Sequence, residues 1–238
     1  MIADAGGDIL LTTSVSFEGL ANGPVGWVLY EQGYNTANPT QGVATDGTIV
    51  TSASRSYQLG PITGNNSLQL ANGLLSGALT LVTPERYSAL SLLLASGDGQ
   101  QPSTGGSLGT LDVNWSNGNV TTVDYTTYDW FLLSGTPAPG IGVAVSALGR
   151  AERIIGGPVD TTTGTNPVLF YEDIDLSADA NFMAGADISG VTIHKDSLSL
   201  ATNIMALSGV PAPVPEPTSL ALVSVAAAAA YWRRRRGR

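Results

Sequence analysis

Length, composition and charge limit what this chain can be. Its 238 residues include one histidine and no cysteine. The lack of cysteine excludes disulfide bonds, thiolate metal sites and cysteine nucleophiles. Residues 1–215 carry 18 acidic and five basic side chains, a net charge of −13, whereas residues 216–238 carry a net charge of +4. The acidic body argues against nucleic-acid binding, because nucleic acids require a positive patch. Few charged residues among many Gly, Ser, Thr and Asn favour an all-β extracellular domain.

Two short apolar runs predict strands in the N-terminal part of the body, at residues 25–30 and 77–82. The sequence between them is polar and rich in Gly, Thr and Asn, which is typical of loops. Directly after the second run, Thr83 and Pro84 suit the N-cap and first position of a helix. We therefore expect a helix to begin there, with a short helical turn over residues 87–94 that leads into a buried strand.

The strongest β signal lies between residues 110 and 124. Residues 110–115 alternate polar and apolar side chains, and residues 119–124 nearly do. Asn117 and Gly118 between them form the dipeptide favoured in two-residue type I′ turns. The pattern predicts a β-hairpin.

Further strands are predicted at residues 140–148, 167–171, 188–193 and 203–207. Eight or more short strands, with turn signals about every ten residues, are typical of a sandwich or jelly roll. We therefore predict one all-β domain over residues 1–208, a jelly-roll-like β-sandwich.

Acidic side chains near the 167–171 strand are the metal-site candidates. Asp173 and Asp175 lie two residues apart and should share one face of a strand, and Asp179 follows in the next loop. Their oxygens suit calcium, the one cofactor the sequence suggests, although solvated edge carboxylates are the competing interpretation and no EF-hand spacing is present. Glu172, Asp173 and Asp175, with Asp129 elsewhere in the chain, are also the candidates for glycoside hydrolysis, which needs two acids that converge in a cleft.

Aromatic side chains offer a second kind of site. Tyr125 and Tyr128 lie in a predicted loop and could form an exposed platform for sugar rings, whereas Trp115 and Trp130 are expected in the core. The single histidine, His194, ends a predicted strand. We interpret it as a surface residue and not as a general base.

The C-terminal residues differ in composition from the body. Residues 209–217 alternate proline with other residues, which predicts an extended linker. Residues 218–232 are uncharged, and a helix of that length would span about 22 Å, short of the roughly 30 Å hydrocarbon core unless aromatic and arginine side chains extend it. A basic cluster follows and should remain cytoplasmic, which places residues 218–238 as a single inner-membrane helix with a cytoplasmic end and the body on the far side. The cluster is Arg233, Arg234, Arg235, Arg236 and Arg238.

Pro215, Glu216 and Pro217, followed by the apolar segment and the arginines, resemble the PEP-CTERM sorting signal of Gram-negative bacteria, also called an ice-binding protein C-terminal domain. The resemblance covers about a tenth of the chain. It implies that exosortase, a membrane-embedded cysteine transpeptidase, recognises these three residues, removes the helix, and releases or re-attaches the body. The family is often associated with exopolysaccharide, biofilm and the cell surface.

The body carries a less specific resemblance over residues 60–208. The segments 87–94, 111–118, 128–131 and 170–176 together are similar to jelly-roll domains that precede this sorting tail, and faintly to galactose-binding-like modules. This resemblance implies a fold and not an activity.

These observations lead to one functional expectation. Residues 1–8 carry two acids and lack a basic and an apolar signal region, so we expect the export signal to be encoded upstream of Met1. We expect an exported, non-enzymatic bacterial surface or matrix protein, associated with exopolysaccharide or biofilm. The alternatives are a carbohydrate-binding module or a carbohydrate-active enzyme delivered by the same tail.

Overall fold

The computed structural model of the chain describes residues 2–3, 16, 26–51, 55–61, 66–71, 73–131, 134–152, 159–160, 166–196 and 198–213. Within these residues almost all regular structure is strand, which confirms the all-β prediction. The strands are β1 (Ile2–Ala3), β2 (Trp27–Tyr30), β3 (Thr48–Val50), β4 (Ser56–Gln58), β5 (Leu68–Leu70), β6 (Ser76–Glu85), β7 (Tyr87–Gly97), β8 (Ser107–Trp115), β9 (Val120–Thr127), β10 (Ile141–Val145), β11 (Arg150–Glu152), β12 (Val159–Asp160), β13 (Leu169–Asp175), β14 (Ile188–His194) and β15 (Ala201–Pro211). A 3-10 turn covers Pro102–Thr104, and one short helix, α1, covers Ala180–Met183.

The strands form two large sheets and two smaller ones. The central sheet has the strand order β10-β13-β7-β15-β5, and the outer sheet has the order β6-β14-β8-β9. A flanking sheet has the order β1-β2-β11-β12, and β3 pairs with β4 as a two-stranded ribbon. The strands predicted at 25–30, 77–82, 140–148, 167–171, 188–193 and 203–207 correspond to β2, β6, β10, β13, β14 and β15.

The central and outer sheets pack face to face through one apolar cluster, the sandwich core. Its buried members come from both sheets, including Leu92 of β7, Ile174 of β13, Val113 of β8 and Val191 of β14. Side chains of opposite sheets meet in this way only when two sheets are stacked. The body is therefore a β-sandwich, as predicted.

The central sheet is covered on both of its faces. Leu90, Leu92 and Leu94 point into the sandwich core, whereas Leu93 and Ala95 point into a second cluster on the opposite face. This explains why β7 reads as a continuous apolar run, because a strand buried on both sides has no polar face. Truncating Leu92, which is fully buried, to Ala would cost about 2–5 kcal/mol.

The predicted hairpin is present as β8 and β9, which pair over residues 107–127. Its turn differs from the two-residue type I′ turn that was predicted. Trp115 N donates to Asn119 O at 3.0 Å and Gly118 N donates to Trp115 O at 3.0 Å, so Ser116, Asn117 and Gly118 form a three-residue loop. Gly118 alone in this loop has a positive φ, +85°, as expected for a type I turn closed by a left-handed glycine.

The helix predicted to begin at Thr83 is wrong, as is the helical turn over residues 87–94. Thr83, Pro84 and Glu85 end β6, and β7 starts at Tyr87. Pro84 is tolerated because β6 is an edge strand, where a missing N–H breaks no ladder. Arg86 is the corner at which the chain leaves the outer sheet and enters the central sheet.

Candidate functional site

The last described residues lead into the predicted sorting motif and are held by the body. Strand β15 continues to Pro211, which pairs with Tyr87, so the first residues of the predicted 209–217 linker belong to the central sheet. Ala212 N then donates to Arg86 O at 2.8 Å. The chain therefore leaves the body at the β6–β7 corner.

The sorting residues themselves lie beyond this point. Pro215, Glu216 and Pro217, the apolar segment 218–232 and the arginines at 233–236 and 238 are outside the described residues. In the portion of the chain that is described, no helix is long and apolar enough to cross a membrane.

A cleft of about 470 Å³ opens on the face of the central sheet beside this exit. Its lining includes Arg55, Ser91, Asp173, Asp175 and Ser208. Small side chains of β7 and β15 form the floor here, whereas further along the same strands this face is covered by the second core. The cleft is thus the uncovered end of that face.

A hydrogen-bonded series crosses the cleft wall. Arg55 Nε donates to Asp173 Oδ1 at 2.7 Å, and its Nη2 forms a second, short contact with Oδ2. Ser91 Oγ also donates to Asp173 Oδ1, at 2.6 Å, and lies 2.6 Å from the hydroxyl of the buried Tyr57. Arg55 lies 4.5 Å above the centre of the Tyr171 ring. Asp173 is therefore part of a fixed ion pair.

The predicted calcium ligands do not converge. Asp173 is engaged by Arg55 and Ser91, whereas Asp175 Oδ1 accepts from Ser177 N at 2.8 Å and the hydrogen bonds from Ser177 lower the pKa of Asp175. Asp179 caps helix α1 and accepts from Thr121 Oγ1 at 2.8 Å. Burial opposes its ionisation, but these hydrogen bonds outweigh burial and lower its pKa.

Among the described residues no group of three or more His, Cys, Asp or Glu side chains is arranged to hold a metal ion. The prediction that Asp173, Asp175 and Asp179 bind one calcium ion is therefore wrong. Each carboxylate is instead held by its own hydrogen-bond partners. Sequence spacing placed two of them on one face but could not reveal these partners.

Two of the carboxyls considered for glycoside hydrolysis, Glu172 and Asp129, have separate surroundings. Glu172 Oε2 accepts from Thr126 N of β9 at 2.7 Å. Burial raises the pKa of Glu172 to about 7, against a lowering by that hydrogen bond. The oxygens of Asp129 accept from Gly99 N at 3.0 Å and Phe131 N at 2.8 Å, which fixes a turn. Neither carboxyl lines the cleft.

The prediction that Tyr125 and Tyr128 form an exposed patch is wrong. Their side chains are 0% and 1% exposed. Tyr125 faces the sandwich core from β9, where Gly109 on the paired strand leaves room for its ring, and its hydroxyl donates to His194 O at 2.6 Å. Tyr128 packs in the second core, edge-on to Phe170.

The predicted positions of Trp115 and Trp130 in the core and of His194 at the surface are confirmed. Trp115 and Trp130 are buried in the two cores, as expected. His194 ends β14 with its side chain 40% exposed, and Nε2 lies 2.9 Å from Asp112 Oδ2. Hydrogen bonds from Thr122 and then His194 lower the pKa of Asp112.

Two residues at the cleft and the exit carried no local signal. Arg55 lies in a weakly patterned segment, and its partner Asp173 is 118 residues away in sequence. Arg86 was interpreted as part of a helical turn, yet its Nη2 donates to Phe182 O at 2.7 Å and its guanidinium lies 4.4 Å above the Phe182 ring. The one sequence signal for these two arginines is that basic residues are rare in the body, where residues 1–215 contain five.

Comparison with known proteins identifies the C-terminal residues. No curated protein matches the chain. One family description does match, the PEP-CTERM protein-sorting motif, over residues 213–236. The match begins one residue after Ala212, where the body holds the chain. Residues 213–236 are thus a PEP-CTERM protein-sorting motif, as the order of the Pro-Glu-Pro residues, the apolar segment and the arginines predicts.

Proposed function

We propose that this chain is an exported, non-enzymatic surface or matrix protein that exosortase processes at its C-terminal tail. The observation that carries the proposal is the sorting motif at residues 213–236, which follows a folded β-sandwich without an intervening domain. A motif of this kind targets its protein to exosortase, and the motif therefore supports export.

The charge pattern of the tail supports the route. Residues 218–232 enter the inner membrane as a single helix, and the five arginines keep the C-terminal end cytoplasmic. The body then lies on the far side, attached through Pro215, Glu216 and Pro217. Cleavage at these residues frees the body for the cell surface or the exopolysaccharide matrix.

Several acidic side chains are occupied by structural contacts, which supports a non-enzymatic body. Asp173 is ion-paired, Asp179 caps a helix, and Asp129 fixes a turn. A general acid and base need a shared substrate site, and Glu172 and Asp129 contact different parts of the fold.

The cleft favours a second candidate, a carbohydrate-binding module that exosortase delivers to extracellular polysaccharide. Serine hydroxyls and the carboxylate of Asp175 line it, and such groups hydrogen-bond sugar hydroxyls. Loss of glycan-array binding in Ser208→Leu, with binding retained in the Tyr125→Phe variant, would support this candidate over a passive matrix role.

The decisive experiment follows the mature C-terminus. Cells with and without exosortase are fractionated, and the C-terminal peptide is identified by mass spectrometry. We expect the arginine end to be missing from the wild-type protein and retained without the enzyme. Glu216→Gln should block processing, whereas Glu85→Gln, the same change on the exposed end of β6, should not. An intact arginine end in wild-type cells would overturn the proposal.

A further inference from the structure

The point at which the chain leaves the body is fixed by a set of contacts. Ala212 N donates to Arg86 O at 2.8 Å, and Ser88 Oγ donates to Val210 O at 3.2 Å. Arg86 is itself held, because its guanidinium donates to Phe182 O and stacks on the Phe182 ring. The exit is therefore tied to the β6–β7 corner and to helix α1.

The distance from this fixed point to the processing site is short. Glu216 is four positions beyond Ala212, and a fully extended chain advances at most about 3.6 Å per residue. The centre of the motif therefore stays within about 14 Å of Ala212 while the body is folded. An enzyme that binds Pro215, Glu216 and Pro217 must bring its own surface equally close to the body.

The surface that such an enzyme would meet carries exposed apolar side chains. Met183, at the end of α1 and next to Phe182, is 66% exposed, and Val210, one residue before the end of β15, is 58% exposed. Arg86 connects the two elements that carry them, because its guanidinium contacts Phe182, the neighbour of Met183, and its carbonyl accepts from Ala212, two residues after Val210. We call Arg86, Phe182, Met183 and Val210 the exit face. Methionine and arginine are enriched in the buried centres of protein interfaces, and Met adapts to irregular partner surfaces.

We propose that the exit face is a docking surface for exosortase, which contacts the folded body as well as the Pro-Glu-Pro motif. This inference rests on the proposed function and adds a partner surface to it. The short tether holds the enzyme within about 14 Å of Ala212, and the exposed Met183 and Val210 supply apolar area for the contact. Tail recognition therefore depends on the body and is not confined to residues 213–236.

The test compares one variant in the exit face with a matched variant at the opposite end of β6. Met183→Lys adds a charge to the exit face, and a lysine is compatible with the C-terminal end of a helix. Leu75→Lys is the control, because Leu75 is also 66% exposed but precedes β6, about 30 Å from the corner at Arg86. Tail removal is followed by pulse-chase in cells that contain exosortase. We expect Met183→Lys to slow it at least five-fold and Leu75→Lys to leave it unchanged.

A longer tether tests the geometric reason. Eight Gly/Ser residues inserted between Ala212 and Pro213 would let the enzyme bind the motif away from the body. In that background Met183→Lys should process as fast as its parent. If it remains slow, the substitution acts through the fold and the docking proposal is wrong.

Two further outcomes separate the remaining explanations. A photoreactive side chain at position 183 should form an adduct with exosortase, and adducts with phospholipid alone would overturn the proposal in favour of a lipid contact. A lysine should also strengthen attraction to anionic lipid, so slower processing in Met183→Lys argues against lipid. Equal rates in all variants would refute the docking surface but leave processing intact, whereas no tail removal in any variant, wild type included, would refute the proposed function itself.

Discussion

Glu172 should make the stability of the body depend on pH, and the structure gives the sign. Its carboxyl lies on β13, opposite Leu92 of β7, and reaches across to Thr126 N of β9. Burial raises the pKa to about 7 from an ordinary value of 4.5, while the hydrogen bond from Thr126 lowers it and the charge of Asp173 raises it. The folded state therefore binds this proton more tightly than the unfolded state. The stabilisation that comes from binding this proton is complete below about pH 4.5 and is lost as the pH rises to about 7.

The size of the effect follows from the shift. One pKa unit corresponds to about 1.4 kcal/mol, so the shift sets an upper bound of about 3.4 kcal/mol. The side chain is partly exposed, and solvent screening reduces this to about 2 kcal/mol. Glu172→Gln keeps an acceptor for Thr126 N but cannot ionise. The variant should match the wild type near pH 4.5 and exceed its unfolding free energy by about 2 kcal/mol at pH 8.

The assay is urea denaturation of the intact chain in mild detergent, followed by tryptophan fluorescence at both pH values. Trp115 and Trp130 report on the two cores, because both are buried. Glu85→Gln serves as the control, since Glu85 is exposed and accepts one hydrogen bond, from Tyr87. If the wild type and Glu172→Gln change in parallel from pH 4.5 to pH 8, burial does not raise this pKa and the reasoning is wrong.

Substitutions at two further positions test local hydrogen bonding and backbone conformation. Asp196, which is 2% exposed, accepts from the N–H groups of Leu198 at 3.0 Å and Ser199 at 2.7 Å, so Asp196→Ala should lower the unfolding free energy by about 2–4 kcal/mol. Asp196→Asn keeps one acceptor and should lose about half as much in thermal denaturation; equal losses would contradict the assignment. Gly118→Ala should cost about 1 kcal/mol from backbone strain alone, because φ is +85° and no atom lies within 4 Å of the added methyl, whereas Gly118→Asn should cost less.

Features encoded within ten or so residues were predictable from the sequence. The β8–β9 hairpin followed from alternation around Asn117 and Gly118, and the last three large strands followed from short apolar runs. The type of turn in this hairpin was not predictable, because type I and type I′ turns both accept Asn-Gly and the choice depends on strand register. The sorting motif was predictable because its three parts act in a fixed linear order.

Features that depend on a distant partner were not predictable. Thr83 and Pro84 have the chemistry of a helix start, but pairing of Glu85 with Ile188 of β14 holds them in an edge strand. Tyr125 was assigned to a loop, although Val123 and Tyr125 continue the inward alternation of β9 and Gly109 leaves space opposite. The calcium hypothesis failed for a similar reason, since Arg55 reaches Asp173 from a segment far away in sequence.

The position of β15 makes a final prediction about what processing does to the body. Met205 is the last buried residue in the described part of the chain, so a chain that ends at residue 213 keeps both cores complete. Its unfolding free energy should equal that of the intact chain within about 0.5 kcal/mol. A chain that ends at residue 208, the domain boundary predicted from sequence, loses the pairing of Gly209, Val210 and Pro211 with β7 and the Ala212 hydrogen bond to Arg86. At about 1 kcal/mol for each lost hydrogen bond, it should be about 1–3 kcal/mol less stable. Equal stability of the two shortened chains in urea would show that β15 contributes nothing beyond residue 208. That difference, together with equal stability of the intact chain and the chain that ends at residue 213, would mean that residues 209–213 complete the fold and that removing the tail leaves the stability of the body unchanged.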